Sequence, residues 1–265
     1  MQVACIQLCS GTSLEQNLES VASLLAKAAA DGASLAVLPE NFALMGVSDE
    51  KKRAMVEDQH DSSILRFLSA QAAKHDMAII GGTLLLKGEG EKIRNACPVF
   101  DAGGELLAIY DKIHLFDMEY QGESYHESAL IEAGDKPVSV TIAGFKIGLS
   151  ICYDLRFPEL YRLYVKEGCH MLVNVAAFTS VTGRAHWQPL LRARAIENQC
   201  YLLASAQSGI HPDGRKTWGH SMIINPWGEV LNELAEGVGY ISADLSMDKL
   251  EKIRASMPVL EHRKL

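Results

Sequence analysis

A cysteine, a glutamate and a lysine in this chain each follow an apolar run, where a strand would deliver a side chain to a sheet edge. Cys152 ends the run 145–151 and precedes Tyr153, Asp154, Arg156, Phe157 and Pro158. A thiol at such a strand-to-helix turn sits near amide N–H groups that favour the thiolate, the form that attacks carbon. Glu40 leaves the apolar stretch 35–39. A carboxylate so poorly solvated is expected to have its pKa raised toward neutrality and to act as a base. Lys112, in Tyr110-Asp111-Lys112-Ile113-His114-Leu115-Phe116, is ringed by apolar residues and is a candidate fixed cation for an oxyanion. Taken singly, each has a plainer alternative: a buried packing thiol, a loop glutamate, a snorkelling lysine.

Together they resemble the Glu–Lys–Cys constellation of the nitrilase superfamily of carbon–nitrogen hydrolases, a resemblance that implies amide hydrolysis. A thiol with an ordinary pKa near 8.5 is only a few per cent ionised at neutral pH, so it needs a base. Glu40 would take the Cys152 proton, the sulfur would add to the carbonyl, and Lys112 with the backbone N–H of Tyr153 would meet the oxyanion. Glu40 would then protonate the leaving ammonia and activate the water that hydrolyses the thioester. Histidine is the more familiar partner of a catalytic cysteine, but His114 and His220 lie in apolar contexts that suit packing. Ser150 and Ser221 lack the GxSxG frame of a serine hydrolase.

Positioning these groups requires alternating strands and helices, and the chain has that rhythm. Residues 3–8 and 35–38 read as buried strands. Ser13 with Gln16 forms a capping box ahead of the stripe Leu14, Leu18, Val21 and Leu25. Residues 62–75 read as a helix, 77–80 as a strand, and 96–100 with 105–110 as a hairpin around 101–104. In the second half, 138–142 and 145–151 pair around Ala143-Gly144, and a helix runs from Pro158 toward Gly168. A strand at 171–175, a helix at 185–198, a strand at 201–206 and a hairpin of 221–224 with 229–231 follow. No linker or low-complexity run intervenes, so 1–265 is expected to be a single α/β domain of mixed sheets covered by helices.

Composition narrows the function classes. The 265 residues are 48% hydrophobic and 22% charged, which excludes disorder, collagen and coiled coil. A net charge of −8 argues against a general phosphate-backbone binder, so no nucleic-acid partner is expected. No stretch approaches the roughly 18 to 20 apolar residues of a membrane span. The start, with Gln2 and Gln7 and no basic flank, does not read as a signal peptide. Six cysteines with no CxxC pair disfavour zinc and fit reduced, mostly buried thiols in a cytoplasmic protein.

The segments Leu38-Pro39-Glu40, Tyr110 to Phe116 and Ile151-Cys152-Tyr153-Asp154-Leu155-Arg156-Phe157-Pro158-Glu159 resemble, in order and flanks, the three signatures of the nitrilase superfamily of carbon–nitrogen hydrolases. The resemblance extends from about Val3 to about Leu245. It implies a four-layer αββα sandwich, a Glu–Lys–Cys triad, no metal, no organic cofactor, and pairing of sandwiches into homodimers or larger homo-oligomers. The family often carries a second glutamate after the lysine motif, and Glu127 in Tyr125-His126-Glu127-Ser128 fits it better than Glu123. The stretch 117–124 departs from relatives, which usually have a proline there.

Downstream, the block from Ala177 to Trp187, with Phe178 and Thr182, leads into Leu191 to Tyr201 and resembles the branch that includes deaminated glutathione amidases. The resemblance implies a small carboxylate-bearing amide as substrate, hydrolysed to acid plus ammonia, or, for deaminated glutathione, to 2-oxoglutarate and cysteinylglycine. The ω-amidases acting on 2-oxoglutaramate or 2-oxosuccinamate are the competing reading. Arg156, four residues past the cysteine, is the candidate clamp for a carboxylate, unless it pairs with Asp154 or Glu159. Thr182, read as lying in a turn, could donate a hydroxyl or serve as a helix cap. Arg192 and Arg194 read as structural partners of Glu197. A non-catalytic assembly subunit would have an unreactive Cys152. A redox or acyl-transfer protein would need a resolving thiol such as Cys169 or Cys200 beside it.

Overall fold

The computed structural model describes residues 1–120 and 123–264. Strand Gln2–Gln7 shows how the layers arise. Its residues Val3 and Cys5 point into one apolar core while Ala4 and Ile6 point into another. A strand buried on both faces reads as an unbroken apolar run, because successive side chains alternate between two dry layers. Leu35–Val37 and Ala78–Ile80 lie parallel beside it in the same way.

These strands belong to a seven-stranded sheet in the order Gly239–Asp244, Gln2–Gln7, Leu35–Val37, Ala78–Ile80, Ile93–Phe100 and Leu84–Lys87, with Leu106–Asp111 also on Ile93–Phe100. Helices Leu14–Ala30 and Ser63–His75 cover its outer face, each opened by a serine, Ser13 or Ser62, whose hydroxyl caps the first turn. A six-stranded sheet runs Val230–Leu234, Ser221–Ile224, Tyr201–Ala206, Met171–Ala176, Phe145–Ile151 and Ser139–Ile142. Its outer face is covered by helices Pro158–Lys166 and Ser180–Asn198, which supply Tyr161, Trp187 and Leu191 to the core. The inner faces of the two sheets meet in one apolar cluster, giving the αββα order of layers.

A buried polar seam fastens the sheets. The Ser205 hydroxyl reaches the carbonyls of Ile6 and, at 3.0 Å, Val37 on the other sheet. Gln7 Oε1 accepts from the Ser221 amide at 2.9 Å and its hydroxyl at 2.8 Å. The helix expected from residue 185 begins instead at Ser180, because Thr179 caps it by accepting from the Thr182 amide. Thr182 therefore sits in the first helical turn, neither in a connecting turn nor as the cap. Helix Asp49–Ala54, strand Leu84–Lys87, the pairs Asp117–Tyr120 with Glu123–His126 and Ser208–Ile210 with Lys216–Trp218, strand Gly239–Asp244 and helix Met247–Ser256 were not anticipated. Of the departing stretch 117–124, Gln121 and Gly122 lie outside the described residues. No helix among the described residues is long and apolar enough to cross a membrane.

Candidate active site

The parallel strands of both sheets end on the same side, and their carboxyl ends gather the site, as open α/β sheets favour. Strand Leu35–Val37 delivers Glu40, Phe145–Ile151 delivers Cys152, and Met171–Ala176 delivers the amide of Ala177. Lys112 arrives from the first sheet, directly after Leu106–Asp111.

Glu40 and Lys112 are almost wholly buried, at 3% and 2% exposure. Lys112 Nζ donates to Glu40 Oε1 at 2.9 Å and to Glu127 at 3.0 and 2.8 Å. Glu40 Oε2 accepts from the Ala177 amide at 2.8 Å, and the Cys152 thiol lies beside the same carboxylate. Glu127 is itself fixed, accepting from the Phe116 amide at 2.7 Å. Glutamate, lysine, thiol and second glutamate thus form one connected group.

Their charges follow from that contact. Burial alone would raise the Glu40 carboxyl, but the Lys112 charge, the hydrogen bonds from Lys112 and the Ala177 amide, and the adjacent Cys152 thiol outweigh it, so the pKa lies below the ordinary value. The elevation expected from the sequence is overturned, because Lys112 comes from a distant strand. Burial and the Glu40 charge push the Cys152 thiol well up, against a smaller opposing pull from Lys112. Burial opposes the charge on Lys112, yet Glu127 and Glu40 prevail and raise its pKa well above normal. The resting group is carboxylate, ammonium and neutral thiol. Moving the thiol proton to Glu40 leaves the net charge of the buried group unchanged, so the transfer adds no net buried charge.

Cys152 sits at φ +46°, a left-handed conformation that costs a non-glycine residue about 1–3 kcal/mol. Asp154, wholly buried, holds it there. Its carboxylate accepts from the Ile151 amide at 2.8 Å, Tyr110 Oη at 2.7 Å, and the His114 amide and Nδ1 at 2.9 and 2.7 Å. His114 stacks on Phe157 at 3.7 Å, so its role is bracing. Arg194 adds two hydrogen bonds to the Leu155 carbonyl, at 3.1 and 2.9 Å, and pairs with Glu197 as expected. Arg192 does not pair with Glu197; it donates to the Gly228 carbonyl at 2.9 Å, and Arg162 takes the second approach to Glu197.

Above the thiol lies a cleft of roughly 220 Å³ lined by Phe116, Cys152, Tyr153, Arg156, Ala177, Phe178, Thr179 and Thr182. All four candidate binding residues, Arg156, Thr182, Tyr153 and Phe178, line it. The two alternatives for Arg156 are not realised: among the described residues it pairs with neither Asp154 nor Glu159. Its guanidinium lies 5.1 Å from the Phe178 ring centroid and 5.6 Å from that of Tyr153, and donates to His186 Nδ1 at 3.1 Å. Thr182 Oγ1 is 3.2 Å from Thr179 Oγ1.

Asn95 was missed. From strand Ile93–Phe100 its Nδ2 donates to Glu40 at 3.0 Å and Glu127 at 3.4 Å, bridging the two carboxylates beside their shared lysine. A polar Asn95 directly before the apolar run 96–100 of its strand was the available signal. Gln207, whose Nε2 donates to the Glu40 carbonyl at 3.0 Å, was missed for the same reason. No three His, Cys, Asp or Glu side chains converge as a metal site would need, among the described residues.

A braced thiol, a carboxylate and a fixed cation beneath the cleft are the groups that a hydrolase working through sulfur would need. The chain belongs to the carbon–nitrogen hydrolase family, whose model matches residues 2–255. It is 42% identical over 265 residues to the deaminated glutathione amidase of Synechocystis sp., covering 98% of this chain and 97% of that protein. To the deaminated glutathione amidase of Homo sapiens it is 37% identical, covering 99% of this chain and 82% of that one. The crystal structure of Saccharomyces cerevisiae Nit3, a member of branch 10 of the nitrilase superfamily, matches with TM-score 0.90 at 30% identity, over 100% of this chain and 97% of that chain.

Proposed function

We propose that this carbon–nitrogen hydrolase cleaves deaminated glutathione to 2-oxoglutarate and cysteinylglycine, with Cys152 as nucleophile. The observation that carries the reading is the thiol in contact with an ionised, lysine-paired Glu40 at the floor of a cleft whose wall bears Arg156. Glu40 accepts the thiol proton as the sulfur bonds to the amide carbon. The resulting oxyanion is met by Lys112 and the amide of Tyr153, which lies in the first turn after the strand and has no intrahelical acceptor. Glu127 keeps Lys112 aimed. Collapse breaks the C–N bond, and Glu40 returns its proton to the leaving amine, the amino group of cysteinylglycine. A water deprotonated by Glu40 then hydrolyses the thioester, releasing 2-oxoglutarate and restoring the thiol.

Arg156 takes the carboxylate of the 2-oxo acid end, while Phe178 flanks it and Thr182 adds a hydroxyl. Release of 2-oxoglutarate reports on both deaminated glutathione and 2-oxoglutaramate, so one assay compares them. A clear preference for 2-oxoglutaramate would move the protein to the ω-amidase reading. Arg156→Lys keeps the charge but loses the fork, and should raise KM for both 2-oxo substrates by about one to two powers of ten. Amides without that carboxylate should be turned over as by the wild type, and equal losses on all amides would remove the clamp. Pairing into a homodimer or larger assembly is proposed as well, supported by Leu163, Ile196 and Trp227, which are exposed outside the second sheet. A 29.0 kDa species alone in sedimentation would overturn it.

A further inference from the structure

We propose that Arg215 is a second carboxylate-binding residue, set at the rim of the cleft to take the free C-terminal carboxylate of a peptide on the leaving-amine side of the scissile amide. The inference deepens the reading above and rests on it.

Arg215 occupies the turn between strands Ser208–Ile210 and Lys216–Trp218. That hairpin is fastened to one wall of the cleft. Thr217 bridges Thr179 in antiparallel fashion, and the Trp218 amide donates to the Phe178 carbonyl at 2.9 Å. The turn itself is stiff. The Arg215 carbonyl accepts from the His211 amide at 2.9 Å, its amide donates to Asp213 Oδ1 at 3.0 Å, and buried His211 contacts Thr217 Oγ1 at 2.8 Å. The side chain leans to the opposite wall. Its guanidinium carbon lies 5.0 Å from the Tyr125 ring centroid, and Tyr125 packs 4.9 Å from Phe116, which lines the cleft. Arg215 thus spans the mouth from the Phe178 side to the Phe116 side.

The guanidinium is available for a ligand. Among the described residues its one ion-pair approach is loose, Nε to Asp213 Oδ2 at 4.0 Å, with the side chain 31% exposed. A guanidinium stacked on an aromatic face keeps its in-plane donors free for a carboxylate. The site therefore carries two cations: Arg156 lining the cleft, against Phe178 and Tyr153, and Arg215 at the rim, over Tyr125. A 2-oxo dicarboxylate monoamide has one carboxylate and uses only Arg156. An amide whose amine belongs to a dipeptide carries a second, two residues away, a reach of roughly 7 Å when extended. Two cations suit the longer ligand.

The test compares wild type and Arg215→Gln on deaminated glutathione, on its C-terminal glycinamide analogue and on 2-oxoglutaramate, all read as 2-oxoglutarate release. The variant should raise KM for deaminated glutathione by about tenfold with kcat nearly unchanged, as expected for one partly exposed charged hydrogen bond. It should leave the glycinamide analogue and 2-oxoglutaramate as in wild type, and Arg215→Lys should recover part of the loss. Equal losses on all three substrates would mean that Arg215 only props the Tyr125 hairpin, and no change on deaminated glutathione would mean that it touches no carboxylate. Either result overturns the inference. Wild type preferring 2-oxoglutaramate would instead take down the substrate reading and this inference with it, whereas wild type preferring deaminated glutathione beside an indifferent variant sinks Arg215 alone.

Discussion

At the floor of the cleft one thiol faces one carboxylate, and the negative charge of Glu40, added to burial, keeps Cys152 protonated at rest. Removing that charge has a definite sign. In Glu40→Gln the repulsion disappears while Lys112 stays, so the thiol becomes more acidic even as the base is lost. Turnover should fall by at least about a thousandfold, because neither the leaving amine nor the hydrolytic water has a proton partner. Alkylation of Cys152 by iodoacetamide should nevertheless rise to its plateau at lower pH than in wild type. An alkylation profile that is unmoved, or moved to higher pH, would show that Glu40 does not set the thiol's ionisation.

Elements matter here for where they stop. Glu40 is presented because the chain leaves strand Leu35–Val37 through Pro39 and turns at Asn41, φ +58°, whose amide donates to Thr83 Oγ1 at 2.9 Å. Gly82 makes this turn possible. It sits at φ +57°, and a Cβ there would come 2.1 Å from the Pro39 carbonyl oxygen, a contact with backbone that cannot rotate away. Gly90 has nearly the same φ, +60°, but open space around it. Gly90→Ala should therefore cost only the left-handed strain, about 1–2 kcal/mol. Gly82→Ala should cost more and also lower kcat, because the Pro39–Glu40 step must shift away from Cys152 and Lys112. Thermal melts and kinetics on the two variants check this; equal destabilisation with unchanged kcat would refute the role given to Gly82.

The whole molecule is held by one apolar layer between two sheets, crossed by few polar links. Ser205, fully buried, is one of them. Ser205→Ala removes the one donor hydrogen that these two buried carbonyls share, a loss of about 1–2 kcal/mol. For a chain of this size that corresponds to roughly 2–6 °C in Tm. Because both sheets line the same core, wild type and variant should each unfold in a single calorimetric transition. Two resolved transitions would mean that the sheets are separate cooperative units, against the single domain proposed for residues 1–265.

Strand and helix periodicity, the serine caps and the apolar runs ending at Glu40, Lys112 and Cys152 are local properties, so the sequence alone determined the elements that carry these three residues and their αβ alternation. The shorter edge pairs and the terminal helix lacked that periodicity. The motif order also pointed to the carbon–nitrogen hydrolase family. What depends on distance in space was beyond it. Asn95 and Gln207 join the site through hydrogen bonds to residues 55 and 167 positions away. The direction of the Glu40 shift needed Lys112, 72 residues on. The partner of Arg156 proved to be His186, on helix Ser180–Asn198, and that of Arg192 the carbonyl of Gly228, in the turn between strands Ser221–Ile224 and Val230–Leu234, because the fold brings together segments that no local pattern links. A side chain's type and its place on a strand are written in its neighbours, whereas its charge state and its partner are set by whichever groups the folded sheets bring within a few ångströms.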